Sequence, residues 1–132
     1  MESTMIMIAG EPMKVFYDTQ AQMDTEQNLY LMSQGINKRL FLDILDSIVD
    51  TREIVTLVMQ GINGANRAEG IDKRLTYDEA AKIFDNHMKY IGQNAKDIKD
   101  VRKAFEDMKM DIKNAAYKNM HLDFLISPIA SQ

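Results

Sequence analysis

Apolar positions first crowd together in two short runs at the N-terminus, Met5–Ala9 and Met13–Tyr17. Both runs are rich in apolar and β-branched residues, and Gly10 between them supplies the easy positive φ of a turn. Pro12 lacks an N–H, so it belongs at the start of a strand or on an edge. The pattern predicts a β-hairpin over residues 5–18. Two strands alone are marginal in water, so the hairpin must lean on helices or on another copy of itself.

From residue 19 the period lengthens to three and four. "TQAQMDTEQNLYLMSQG" reads as a helix, with Thr19 and Gln22 spaced as a capping box and Gly35 as its stop. "NKRLFLDILDSIVD" is a second helix with Leu40, Ile44, Leu45 and Ile48 on one stripe and Asp43, Asp46 and Asp50 along another. "DTREIVTLVMQGING" is a third, opened by Asp50 and Glu53 at capping-box spacing and carrying Ile54, Leu57 and Val58. Gly61 or Gly64 is expected to end it, followed by a solvated connection over Ala65–Arg74. Thr76 and Glu79 open "YDEAAKIFDNHMKYIG", where Ala80, Ile83, Phe84, His87 and Ile91 share a face and Gly92 marks the end.

The longest helix is expected over 95–120. Ile98, Val101, Phe105, Met108, Ile112 and Ala115 form a heptad-like seam along it. The seam has two readings, an intramolecular core or an interface, because an amphipathic stripe shows only that something covers it. An apolar tail, 121–132, follows and is broken by Pro128. The whole is expected to be mainly α: one domain of about five helices (19–91 as helical core, then 95–120) with an N-terminal β-hairpin.

With 132 residues, the chain fits one domain. Net charge is −4, which argues against nucleic acid as a partner, since phosphate neutralisation needs a basic face. The charge is uneven: residues 1–92 carry 9 basic and 14 acidic residues, whereas 93–132 carry 7 and 6. Cys is absent, which excludes disulfides and thiolate metal sites. No apolar run approaches the roughly 18 residues of a membrane span, and "MESTMIMIAGEPMK" has no basic flank to make it a signal peptide. Eleven Met is a high count, and Met serves both as adaptable core filler and at promiscuous binding surfaces.

The stretch "INGANRAEGIDKRLTYDEAAKIF" (62–84) invites a calcium or a phosphate reading, and neither fits. Placing Glu79 at position 12 of an EF-hand loop puts Ala68, Gly70 and Lys73 at positions 1, 3 and 6, leaving only Asp72 as a first-half ligand. A P-loop needs a Lys after its second Gly, and Gly70 is followed by Ile71. The two His, His87 and His121, are isolated, and His87 lies on an apolar face where a packed role is the simple expectation. Asp43, Asp46, Asp50 and Glu53 share a face, but no His completes a Glu-x-x-His metal pattern. No cofactor and no enzymatic activity are expected.

The order of these elements resembles the tail assembly chaperones of long-tailed bacteriophages. The resemblance rests on "MIMIAGEPMKVFYDTQAQMDTEQNLY", a strand–Gly–strand unit leading into a helix with a central acid, then "REIVTLVMQGING", a loop, and "LTYDEAAKIFDNHM". It covers residues 5–91; the 95–120 helix and its tail lie outside it. It implies a protein that binds the tape measure protein, a long helical chain, and keeps it soluble while the tail tube assembles, with the tube protein as a possible second partner. It further implies self-association, action in the bacterial host cytoplasm, and absence from the mature virion. On this reading Phe105, Met108, Ile112, Leu122, Phe124 and Leu125 are the expected partner or self contacts. The alternative is a small acidic adaptor, anti-repressor-like, whose 43–53 acids meet a basic partner surface.

Overall fold

The alternating runs at the N-terminus do form a hairpin. The computed structural model describes residues 4–127, so Pro128 and the rest of the expected tail lie outside the described residues. Strands β1 (Thr4–Ile8) and β2 (Glu11–Val15) pair antiparallel, and the second strand begins two residues earlier than expected. The reason is the turn. Ala9 and Gly10 have φ of 54° and 78°, so two residues suffice to reverse the chain and Ile8 faces Glu11 directly. Ile6, Ile8 and Val15 are buried, while Met5 and Met7 point outward. Pro12 stands opposite Met7. The Met7 N–H turns away from the ladder to the Asp111 carboxylate, so Pro12's missing N–H costs no strand bond.

Helix α1 (Thr19–Met32) starts one residue earlier in its capping than the Thr19–Gln22 box implied. Asp18 is the cap, accepting from Ala21 N–H at 2.8 Å, and the Gln22 amide donates to the Tyr17 carbonyl instead. The stop comes one residue before the expected Gly35: Gln34 takes the left-handed position at φ 59° with its N–H on Leu31 O, and Gly35 follows with its N–H on Tyr30 O at 3.0 Å. The second helix is much shorter than the 37–50 expected: α2 spans only Phe41–Asp46. Its N-cap, Leu40, has no side chain to offer, and Glu26 of α1 supplies the missing acceptor to Phe41 N–H at 2.8 Å. Residues 37–40 stay outside the helix, and Arg39 among them reaches forward to an ion pair with Glu53 described below.

Helix α3 (Thr51–Ala68) runs straight through Gly61 and Gly64, which were expected to end it. Both are contact glycines. A Cβ on Gly61 would stand 2.8 Å from the Tyr17 ring, and one on Gly64 would stand 1.9 Å from the Phe16 carbonyl oxygen. The Phe16 N–H donates to Gly61 O at 2.9 Å, and the Tyr17 hydroxyl donates to Leu57 O at 2.8 Å. The stop is Gly70, at φ +69°, with its own N–H on Arg67 O and that of Ile71 on Asn66 O.

Helix α4 (Tyr77–Asn94) opens with the expected Thr76–Glu79 capping box and passes through Gly92 for two more residues. Ala80, Phe84, His87 and Ile91 are buried along its inner face. Helix α5 (Ile98–Asn119) is the longest; Asp97 caps it, and a short 3₁₀ turn at Asp123–Leu125 follows. It closes with His121 at φ 60° and paired returns to Lys118 O and Tyr117 O. The protein is therefore mainly α, with five α-helices and an N-terminal hairpin among the described residues. Helix α3 is the hub, in contact with β2, α1, α4 and α5, and α5 covers β1.

The close approach at Gly64 sets a sharp contrast between two helical glycines. Gly64→Ala should destabilise the protein by about 3 kcal/mol, because the methyl group meets main chain that cannot retreat without undocking the hairpin. Gly92→Ala meets nothing within 4 Å and should stabilise by about 0.5 kcal/mol through helix propensity alone. Urea midpoints of the two variants measure the difference directly.

Candidate interaction surface

The stretch that invited a metal or phosphate reading is tied down by two asparagines. Asn63, buried in α3, accepts from Leu75 N–H at 2.6 Å and donates to Leu75 O at 3.1 Å. Asn66 donates to Lys73 O at 3.1 Å. The connection starts four residues later than the Ala65–Arg74 expectation implied, because α3 extends to Ala68, and it is clamped at its far end rather than free. Its exposed part, 69–74, gathers no ligand set. Among the described residues no group of three or more His, Asp or Glu could hold a metal ion.

The four acids of the 43–53 face are split among different structural roles. Glu53 is buried and binds Arg39 in an ion pair, while its other oxygen accepts Val49 N–H at 2.7 Å. Asp50 caps α3 through Glu53 N–H at 2.9 Å and meets Arg52 at 3.4 Å. Asp46 accepts from the Tyr117 hydroxyl at 3.3 Å; burial raises the pKa of that phenol, and the Asp46 charge adds to the rise. Asp43 alone is exposed without such a bond. These acids build helix starts and a buried pair, which is a different arrangement from a continuous acidic surface for a basic partner.

Arg39 is the centre of this region. Its guanidinium pairs with Glu53 and also donates to Ser47 O at 2.8 Å. One residue thereby fastens the 37–40 segment, the end of α2 and the start of α3. Between them lies a cavity of about 510 Å³, with Leu29, Met32 and Val49 as its apolar lining and Arg39, Asp43, Asp50, Arg52 and Glu53 as its charged lining. Exposed aliphatics are concentrated on the same elements. Ile36 is 84% exposed, Val49 69% and Leu40 67%, and Leu31 and Leu42 are exposed as well. So many exposed aliphatics within one stretch of chain make it a candidate for contact with another protein.

The six residues expected to contact a partner do not form one surface. Met108 and Ile112 are buried in the core, and Phe105 packs beside them with its ring 6.1 Å from that of Phe84. The central part of the α5 seam is thus internal, whereas Ile98 at its start is exposed. Leu122 is half-buried against the same core. Only Phe124 and Leu125 are exposed, Phe124 by 82%. They lie on a segment held against α5 by Asn114, which donates to Ser127 O at 2.8 Å and accepts from Ser127 N–H at 3.1 Å. The exposure of Leu31, Ile36, Leu40 and Val49 has no sequence signal, because these positions follow no common period. The Arg39–Glu53 pair that creates the cavity joins residues 14 apart in different elements.

Compared with protein-family models, curated proteins and solved structures, the chain matches none. Among the described residues no helix is long and apolar enough to cross a membrane.

Removing Arg39 leaves the buried Glu53 carboxylate without its charge partner. Arg39→Met should cost about 3 kcal/mol, whereas the double variant Arg39→Met/Glu53→Met should recover much of that loss. A double-mutant cycle on urea unfolding gives both numbers. Equal losses for the single and double variants would show that the pair does not hold the 37–53 region together.

Proposed function

We propose that this protein is a tail assembly chaperone of a long-tailed bacteriophage or prophage. It binds apolar helical stripes of the tape measure protein and keeps that chain soluble until the tail tube forms around it. No chemistry is required; the work is reversible burial of partner surface. It acts in the host cytoplasm, as several self-associated copies, and leaves before the virion matures.

The observation that carries this reading is the run of exposed aliphatic side chains from the last turn of α1 to the start of α3. Leu31, Ile36, Leu40, Leu42 and Val49 all lie between α1 and the start of α3, each at least 40% exposed. A monomer gains nothing from leaving so many in water, since each fully buried would contribute about 1.5–3 kcal/mol. An amphipathic helix laid across them would cover several at once. The order of elements over residues 5–91 supports the same reading. Exposed Phe124 and Leu125 offer a further apolar contact for a partner or a second copy.

Co-expression with a tape measure protein tests it. The unmodified chain should keep the tape measure in the soluble fraction and co-purify with it. Ile36→Asp/Leu40→Asp should keep its far-UV spectrum and melting temperature, because both side chains already face water, yet lose binding at least tenfold. The loss should persist at high salt, since apolar capture depends little on screening. Undiminished co-purification of the folded double variant would remove this surface from the reading.

A further inference from the structure

The hairpin tip is hydrogen-bonded to α4 through the His87 imidazole. Ala9 donates its backbone N–H to His87 Nδ1 at 2.8 Å. A ring nitrogen that accepts a hydrogen bond carries no proton, so the neutral ring holds its proton on Nε2. Nε2 is itself buried and has no hydrogen-bond partner among the described residues. The tip fits this place closely: a Cβ on Gly10 would stand 2.9 Å from the Tyr90 ring.

Charging the ring reverses the geometry. A protonated Nδ1 becomes a donor facing a donor, and Nε2 becomes a charged N–H in a buried site without an acceptor. The surrounding elements offer little relief. The ionisable groups of the hairpin and α4 nearest in sequence are Glu11, Asp85, Lys89 and Tyr90; α5 contributes Asp107 and Asp111, and α3 carries its charges only at its ends. None of them moves the His87 titration, and burial alone holds its pKa below the usual histidine range.

We infer that the His87–Ala9 contact is a pH-sensitive latch, in which the hairpin tip docks on α4 while the imidazole is neutral and lifts away when the ring takes a proton. Above about pH 6.5, the ordinary histidine value, docked and lifted states bind the same number of protons, so the latch is pH-independent. As pH falls below that value the lifted state takes up the proton first, and docking weakens until the depressed pKa of the docked state is passed. Asp111, which accepts the nearby Met7 N–H, has the opposite sign. Burial raises its pKa against the lowering effect of that N–H, and Asp107 adds to the rise, so acid favours its folded form. Loosening in acid therefore belongs to His87. The other end of the hairpin is held by Phe16 N–H on Gly61 O and does not titrate, so the movement is confined to the tip.

Amide hydrogen exchange followed by NMR on the intact chain tests this. The protection factor of Ala9 should be constant from pH 8 to 7 and fall below about pH 6.5, by at most about tenfold per unit and only until the depressed pKa of docked His87 is passed, while that of Phe16 stays level. The His87 ring protons should titrate below the usual histidine pKa. His87→Asn places a carboxamide oxygen near the position of Nδ1 without the ability to charge, and should keep Ala9 protected throughout; His87→Leu should leave Ala9 unprotected at every pH. The proposal is overturned if Ala9 protection in the unmodified chain does not change between pH 7.5 and 5.5 while His87 titrates at its ordinary value. It is equally overturned if His87→Asn loses Ala9 protection in acid as the unmodified chain does. Ring titration and Ala9 exchange in the unmodified chain decide the matter even if a variant fails to fold.

Discussion

The fold depends on how closely the hairpin can approach α3. Phe16 main chain lies directly against the helix at Gly61 and Gly64, with a hydrogen bond to one glycine and no room for a methyl group on the other. Two glycines inside a helix cost about 1–2 kcal/mol of intrinsic propensity. That cost is offset by what the contact allows. Tyr17 enters the core fully, its ring 5.6 Å from that of Phe41, its hydroxyl on Leu57 O. Burial pushes the Tyr17 pKa well above the usual phenol range, so the hydroxyl stays a neutral donor. Side chains from β1, β2, α2 and α3 then meet in one core, which α5 closes from the other side.

A second layer of organisation is polar. Glu26 starts α2 from another helix, Asn63 and Asn66 fix the connection into α4, Arg39 joins α2 to α3, and Asn114 holds the segment after α5. Each of these side chains bonds to backbone that has no helical partner of its own. Irregular segments thereby satisfy their main-chain groups without burying more apolar surface. Aliphatic residues on those segments can stay outside the core, and this is how the region from Leu31 to Val49 presents so many of them to water.

Legibility in the sequence follows the range of the determining interaction. The Thr76–Glu79 box, the buried face of α4, the hairpin and the existence of α5 rest on neighbours within a few residues, and those were readable. Gly61 and Gly64 looked like stops because their reason, the Phe16 main chain, lies about 45 residues away and leaves no local trace. The 37–50 helix was overextended for a similar cause, since Arg39 answers to Glu53 and not to the helical period. The seam of α5 was legible as a stripe; that Met108 and Ile112 face inward follows from where the hairpin and α3 lie. Of the six residues expected at a partner surface, only Phe124 and Leu125 are exposed, and the exposed aliphatics between Leu31 and Val49 follow no period that would mark them.

The placement of β1 beside α5 has a consequence for biosynthesis. Asn119 near the end of α5 accepts Tyr17 N–H at 2.8 Å and lies 3.5 Å from the Thr4 hydroxyl, joining positions 115 residues apart. A ribosome releases the hairpin and α3 well before α5 emerges. Until then β1 can pair with β2 and lean on α3, but its remaining flank is bare, with Ile6 and Ile8 short of their cover. Among the described elements, the helix made last is the one that seals the strand made first. Cooperative stability is therefore reached only after most of the chain has left the exit tunnel, and the nascent protein passes through a stage in which an apolar strand is accessible to neighbours.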